Sequence, residues 1–222
     1  MINIIEYKDG YTYLNSNANW ENIIEAGKGW SYGSELLVEK REGKTTGWIG
    51  YTLSWSYRKF EELNRGAIFP FKYDCRHDIS LALTHKLSEK LNVGVIWVFG
   101  SGTALTLPNQ KFISALPLYQ VKDDNYYYEP DKNYKLEYFK SRNSFRMPAY
   151  HRLDISFNFH KPLKWGERTL SLGLYNAYSH NNPFYIYIGQ NYDWYGMGSG
   201  EPVVKKVSLF PIIPFISYNF KF

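Results

Sequence analysis

The strongest pattern in this chain is strict alternation of apolar and polar residues. In "ISYNFKF", Ile216, Tyr218, Phe220 and Phe222 share one side of an extended strand, and Ser217, Asn219 and Lys221 share the other, because successive strand side chains point to opposite faces. The period recurs in "WIGYTLSWSY", where Ile49, Tyr51, Leu53, Trp55 and Tyr57 oppose Gly50, Thr52, Ser54 and Ser56. "HDISLALTHKL", "RLDISFNF" and "LSLGLY" carry it as well. "SYGSELLVEK" and "LNVGVIWVFG" are weaker cases, the second being apolar on both faces near Ile96 and Val98. With a partial strand at the N-terminus, the pattern predicts about eight strands in a single unit spanning residues 1–222. The nearest approach to a helical period, "KFEELNR", is too short to matter.

The connections are unequal. "KREGKT", "LSEK" and "KPLKWGE" are short and charged, whereas Lys8 to Lys28, Arg58 to Asp74, Ser101 to Pro148 and Gln190 to Pro202 are long. In an alternating meander all the long ones fall at one end, which is the asymmetry of an outer-membrane barrel with brief periplasmic turns and extended outer loops. Aromatics crowd the junctions on the long-loop side: Trp55 and Tyr57, then Phe69, Phe71 and Tyr73, then Trp97 and Phe99. Rings with an apolar body and a polar tip suit the headgroup level, so these residues are predicted to form an aromatic girdle.

Composition narrows the choice. Aromatics make up 19% of the chain, yet the hydrophobic share is 44% and the mean hydropathy −0.44. Membrane helices need ~20 consecutive apolar residues, and the longest apolar stretch, "FPIIPFI", is short and broken by Pro211 and Pro214. A barrel has no such requirement, since only alternate residues meet lipid. The net charge of +5 comes from basic residues scattered among turns and strand ends, which does not favour nucleic acid as a partner. The single cysteine, Cys75, gives neither an internal disulfide nor a CxxC metal site. The opening "MINIIEYKDG" lacks the basic and apolar regions of a secretory signal, which leaves a cytoplasmic protein or part of a longer exported chain.

Candidate chemistry is sparse. "YDCRHD" packs Asp74, Arg76, His77 and Asp78 together, but His77 and Asp78 are adjacent on a strand and point apart, so salt bridging is expected over metal binding. Arg152 and Asp154 in "YHRLD" fall on the polar face with Asp78 and are expected to pair or to line a water-filled interior. His85, His151, His160 and His180 are scattered, and no catalytic set or phosphate loop stands out, so no enzyme activity and no cofactor are expected.

In order along the chain, "GKGWSYGSELLVEKREGKTTGWIGYTLSWSYRKF", "FPFKYDCRHDISL", "YHRLDISFNFHKPLKWGERTLSLGLYNAYSHNNPFYIYIG" and "VSLFPIIPFISYNFKF" resemble the C-terminal barrel half of TonB-dependent outer-membrane receptors of the Bacteroidota type. The resemblance covers nearly the whole chain apart from loop interiors. It departs at Cys75, where the family usually has a basic residue.

The resemblance implies an all-β antiparallel transmembrane segment, the last third of a 22-stranded barrel in the outer membrane. It also implies a parent that imports a scarce nutrient such as a siderophore or glycan. Tyr218, Phe220 and Phe222 are then similar to the terminal signal read by the barrel-assembly machinery. The implied partners are membrane lipid, the plug and earlier strands, TonB through them, and, as in lidded importers of this kind, a surface lipoprotein. A plug does not fit within 222 residues, so transport by this chain alone is not expected. Tyr126, Tyr127, Tyr128, Tyr192, Trp194 and Tyr195 offer stacking faces with polar tips in the long loops and are the candidate ligand contacts. Two other readings fit the alternation: a complete eight-stranded outer-membrane barrel with an adhesin or structural role, and a soluble lipocalin-like ligand-binding barrel.

Overall fold

The computed structural model describes residues 1–8, 24–107, 141–190 and 202–222, together with the backbone of four strands between residues 110 and 138. The strands, in chain order, are β1 (Ile2–Tyr7), β2 (Ile24–Lys40), β3 (Thr45–Lys59), β4 (Phe69–Pro70), β5 (His77–Ser88), β6 (Leu91–Gly100), β7 (Ala104–Leu105), β8 (Gln110–Ile113) and β9 (Tyr119–Lys122). There follow β10 (Asn125–Tyr128), β11 (Lys135–Tyr138), β12 (Phe145–Arg146), β13 (Tyr150–Leu163), β14 (Gly166–Tyr175), β15 (Pro183–Gln190), β16 (Pro202–Ser208) and β17 (Ile213–Lys221). "KFEELNR" forms only the start of a 3-10 turn, Leu63–Gly66. No described helix is long and apolar enough to cross a membrane.

The eight strands that alternation predicts are the eight of the principal sheet, in the order β1-β2-β3-β5-β6-β13-β14-β17, with every pair antiparallel. β4 folds back onto the end of β3, pairing Phe69 with Arg58. The sheet is open: among the described residues, β1 pairs only with β2 and β17 only with β14.

Following the paired residues sideways, Lys40 aligns through Gly47, Leu83 and Val95 with Ile155 and Leu174. The first short turn thus lies level with the middle of β13, whose own turn comes only after Leu163. This stagger is what tilted neighbouring strands produce.

The three short turns all lie at one end. The long connections leave from the other, and they carry structure that the alternation did not foretell. Between β6 and β13, β7 pairs with β12, β8 with β11 and β9 with β10, a nested order of antiparallel pairs. The connection between β14 and β17 contains the β15–β16 hairpin.

Candidate functional site

Registration of the strands sorts the sheet into two faces. One carries Leu36, Val38, Ile49, Leu81, Trp97, Ile155, Phe157, Leu172 and Ile216, linked pair by pair from β2 to β17. Among the described residues no layer covers it: Leu172 is 40% exposed, Phe157 44% and Ile216 72%. Asp and Glu are missing from this face of the eight strands. Glu6, Glu25, Glu35, Glu39, Asp78, Asp154 and Glu167 all point to the other. The cations of the apolar face stand only at strand ends, Lys28 and Lys59 toward the loops, Lys40, Lys161 and Arg168 toward the turns.

The opposite face is mainly polar and hydrogen-bonded across strands. Ser31 and Ser56 hydroxyls meet at 2.8 Å, and His160 bridges Asn92 at 3.1 Å and Thr169 at 3.0 Å. It is not uniformly polar, because Leu37, Trp48, Ile96 and Phe215 also lie on it. Small neighbours make room for these side chains. A Cβ at Gly173 would run into the Phe215 ring and the Ile155 carbonyl oxygen, so that ring lies over a position only glycine fills without displacement.

The predicted polar-face residues divide. Arg152 donates to Asp154 at 3.1 Å, to Tyr150 at 3.1 Å and to Tyr175 at 2.8 Å, and its guanidinium lies 4.2 Å from the centre of the Tyr175 ring. The other oxygen of Asp154 accepts the backbone N–H of Asn176 at 3.0 Å, which pins the start of a long connection to β13. Asp78 is exposed opposite Thr52 and Gly100 and makes no ion pair among the described residues. His77 points the other way and meets the Tyr51 hydroxyl at 2.9 Å.

Among the described residues, side chains are fully buried only at the loop end. Phe60, Leu63 and Phe69 form a small core with Ile4 packed against it. The prediction of Phe69 as a girdle residue is therefore corrected: folding of β4 onto β3 turns its ring inward, where it is 1% exposed. Phe71 of that group lies beneath Arg58, whose guanidinium is 3.6 Å from the ring centre. Trp55, Tyr57, Trp97 and Phe99 do share the apolar face near its loop border, joined there by Trp30 and Tyr32.

Beside this core Asp74, 1% exposed, accepts the Ser56 backbone N–H at 2.6 Å, the Arg76 guanidinium at 3.4 Å and a short bond from Arg146. Arg76 in turn stacks over Trp55 at 4.6 Å. Arg76 and Arg146 line an open cavity of about 320 Å³ with Ser101, Gly102, Met147 and Ala149. Arg142, 5% exposed, donates from its side chain to the carbonyls of Tyr7 and Lys8 and from its backbone N–H to the Asn64 side-chain oxygen, so one residue ties three connections together.

A second knot follows β14. Asn176 adopts φ 52°, a left-handed conformation that asparagine tolerates, and its buried amide bonds the carbonyls of His180 and Phe210. Asn182 accepts the His151 N–H and donates to the His151 carbonyl. The His151 and His180 rings stack 3.6 Å apart, and Tyr178 touches His151 at 2.8 Å. Burial, with His151 and Lys206 nearby, pushes His180 below the ordinary imidazole range.

Of the candidate ligand contacts, Tyr126, Tyr127 and Tyr128 occupy β10, paired through the backbone with Val121, Gln120 and Tyr119. Tyr192, Trp194 and Tyr195 lie outside the described residues. Tyr218 and Phe220 fall on the apolar face of β17, 60% and 40% exposed, and the Phe222 ring packs edge-on against Phe220. The loop-fastening roles of Arg142, Arg146, Asn176 and Asn182 escaped the sequence reading. Their only local sign was clustering of Asn and Ser in "SRNSFR" and "YNAYSHNN".

The chain matches no protein family model, no curated protein and no solved structure.

Proposed function

We propose that this chain is a transmembrane segment of an outer-membrane β-barrel, in particular the C-terminal part of a TonB-dependent nutrient receptor. The observation that carries the reading is the apolar face: eight strands wide, free of carboxylates and covered by no other layer of the described structure. A soluble sheet of this size buries such a face against a second layer, whereas hydrocarbon covers it without one.

The dimensions agree. Along β3 the positions from Gly47 to Tyr57 cover ten steps of ~3.3 Å, and a tilt of ~40° brings that to about 25 Å, the height of a barrel's apolar band. Long connections at one end and short turns at the other fit outer loops and periplasmic turns. The open edges β1 and β17 support a segment of a wider barrel over a closed eight-stranded one, and a wide, wet interior suits the hydroxyls and amides of the polar face. In this reading Arg152 and Asp154 stabilise the wall facing the interior, the loop-end clusters shape the mouth, and the remaining strands and plug complete the transporter.

The test is partition. The chain is expected to fractionate with outer membranes and to require detergent for recovery. A folded, monodisperse species in plain buffer contradicts the reading. Heat-modifiable gel migration by the 222-residue chain alone would favour the closed eight-stranded barrel instead.

A further inference from the structure

Nine of the 26 basic residues, dispersed in the sequence, are brought by the fold to the short-turn end, where only four carboxylates accompany them. The first turn and its flanks hold Lys40, Arg41 and Lys44 against Glu39 and Glu42, and the second holds Lys86 and Lys90 against Glu89. The third holds Lys161, Lys164 and Arg168 against Glu167, with Lys221 of β17 beside it. These nine cations and four carboxylates account for the entire net charge of +5 that the chain carries.

Their distribution between faces is sharper still. Lys40, Lys161 and Arg168 lie on the apolar face toward its short-turn border, with Lys161 and Arg168 directly paired across β13 and β14 and Leu163 following Lys161 on the same face. The strand carboxylates of this rim, Glu39 and Glu167, both point to the polar face, and Glu39 already accepts Arg41 at 2.7 Å. Trp165, 86% exposed beside Lys164, adds a ring suited to the same level.

We infer that this rim binds the phosphates of anionic glycerophospholipids in the leaflet at the short-turn end, with Lys40, Lys161 and Arg168 as the contacting cations. The inference rests on the membrane-spanning reading above and names the lipid that reading leaves open. Stems of lysine and arginine lie along neighbouring apolar side chains while their heads reach headgroup oxygens, and no side-chain carboxylate on that face competes. Attraction of this kind is worth roughly five-fold in partition for each cation near an anionic surface and falls with salt.

The experiment refolds the full chain with phosphatidylcholine vesicles and with mixed phosphatidylcholine–phosphatidylglycerol vesicles, and measures flotation at low and high salt. Wild type is expected to favour the anionic vesicles by more than about ten-fold at low salt. The pair Lys40→Gln/Lys161→Gln is expected to lose most of that preference while still associating with neutral vesicles. The polar-face pair Lys86→Gln/Lys221→Gln is expected to keep it, and Lys40→Arg/Lys161→Arg to behave as wild type. Equal partition of wild type into both vesicle types, or equal loss in both glutamine pairs, overturns the lipid assignment and leaves the membrane reading standing. Absence of association with either vesicle overturns both.

Discussion

The sheet and the loop end of this protein are built on opposite principles. In the eight-stranded sheet no residue is fully buried, and Leu172, Phe157 and Ile216 stand open on one face. At the loop end Phe60, Leu63, Phe69 and Asp74 are almost wholly enclosed, within segments that have little regular structure. The sheet is held by its ladders of backbone hydrogen bonds, and in the proposed reading hydrocarbon surrounds its open apolar face. The loop end excludes water with its own side chains. Substitutions that perturb one region should therefore leave the other largely intact, and their costs should depend on the solvent in different ways.

The largest effect is expected at Asp74. Asp74→Ala leaves Arg76 and Arg146 without the buried carboxylate they share, a change that costs about 3–5 kcal/mol when a buried pair loses one partner. The outcome is opening of the 60–76 connection, read as rapid proteolytic nicking there while fragments containing β5 to β17 survive. Next comes a pair of neighbours on opposite faces. Leu172→Arg is expected to cost about 2–4 kcal/mol in bilayers, and Ser171→Arg much less, measured by denaturant titration of vesicle-inserted protein.

Gly173→Ala should cost about 1–3 kcal/mol by forcing the Phe215 ring off its seat and loosening the pairing of β14 with β17. It is read by the same titration. The smallest effect is a pH dependence of the second knot. His180 is held below its ordinary value near 6.5, so the folded connection takes up its proton less readily than the unfolded one. Its contribution is complete above about pH 6.5 and fades as pH falls through the depressed value. Nicking of the 176–182 segment should accelerate on acidification in the wild type, and His180→Asn should remove that acceleration.

The same contrast explains what could be read from the sequence. The eight sheet strands were legible because alternation is a local property, and "RLDISFNF" announces two faces without reference to anything distant. The loop end was not, because its determinants are long-range. Arg142 bonds the carbonyl of Tyr7, 135 positions away, and Arg146 reaches Asp74 across 72. Phe69 reads as one more junction aromatic until β4 is seen to fold back on β3. The basic rim was equally hidden: the register of the strands pairs Lys161 with Arg168 and puts Lys40 on the same face, which none of the three shows singly.

The central claim is that hydrocarbon covers the apolar face and water the polar one. It is tested most directly by spin labels placed singly, in a Cys75→Ser background, along residues 168–174 and 153–159 of bilayer-inserted protein. The account predicts a two-residue period in which labels at 155, 157, 170 and 172 collide with oxygen and are shielded from a water-soluble nickel chelate, while labels at 156, 158 and 171 show the reverse. Loss of that period, or its inversion, would contradict it.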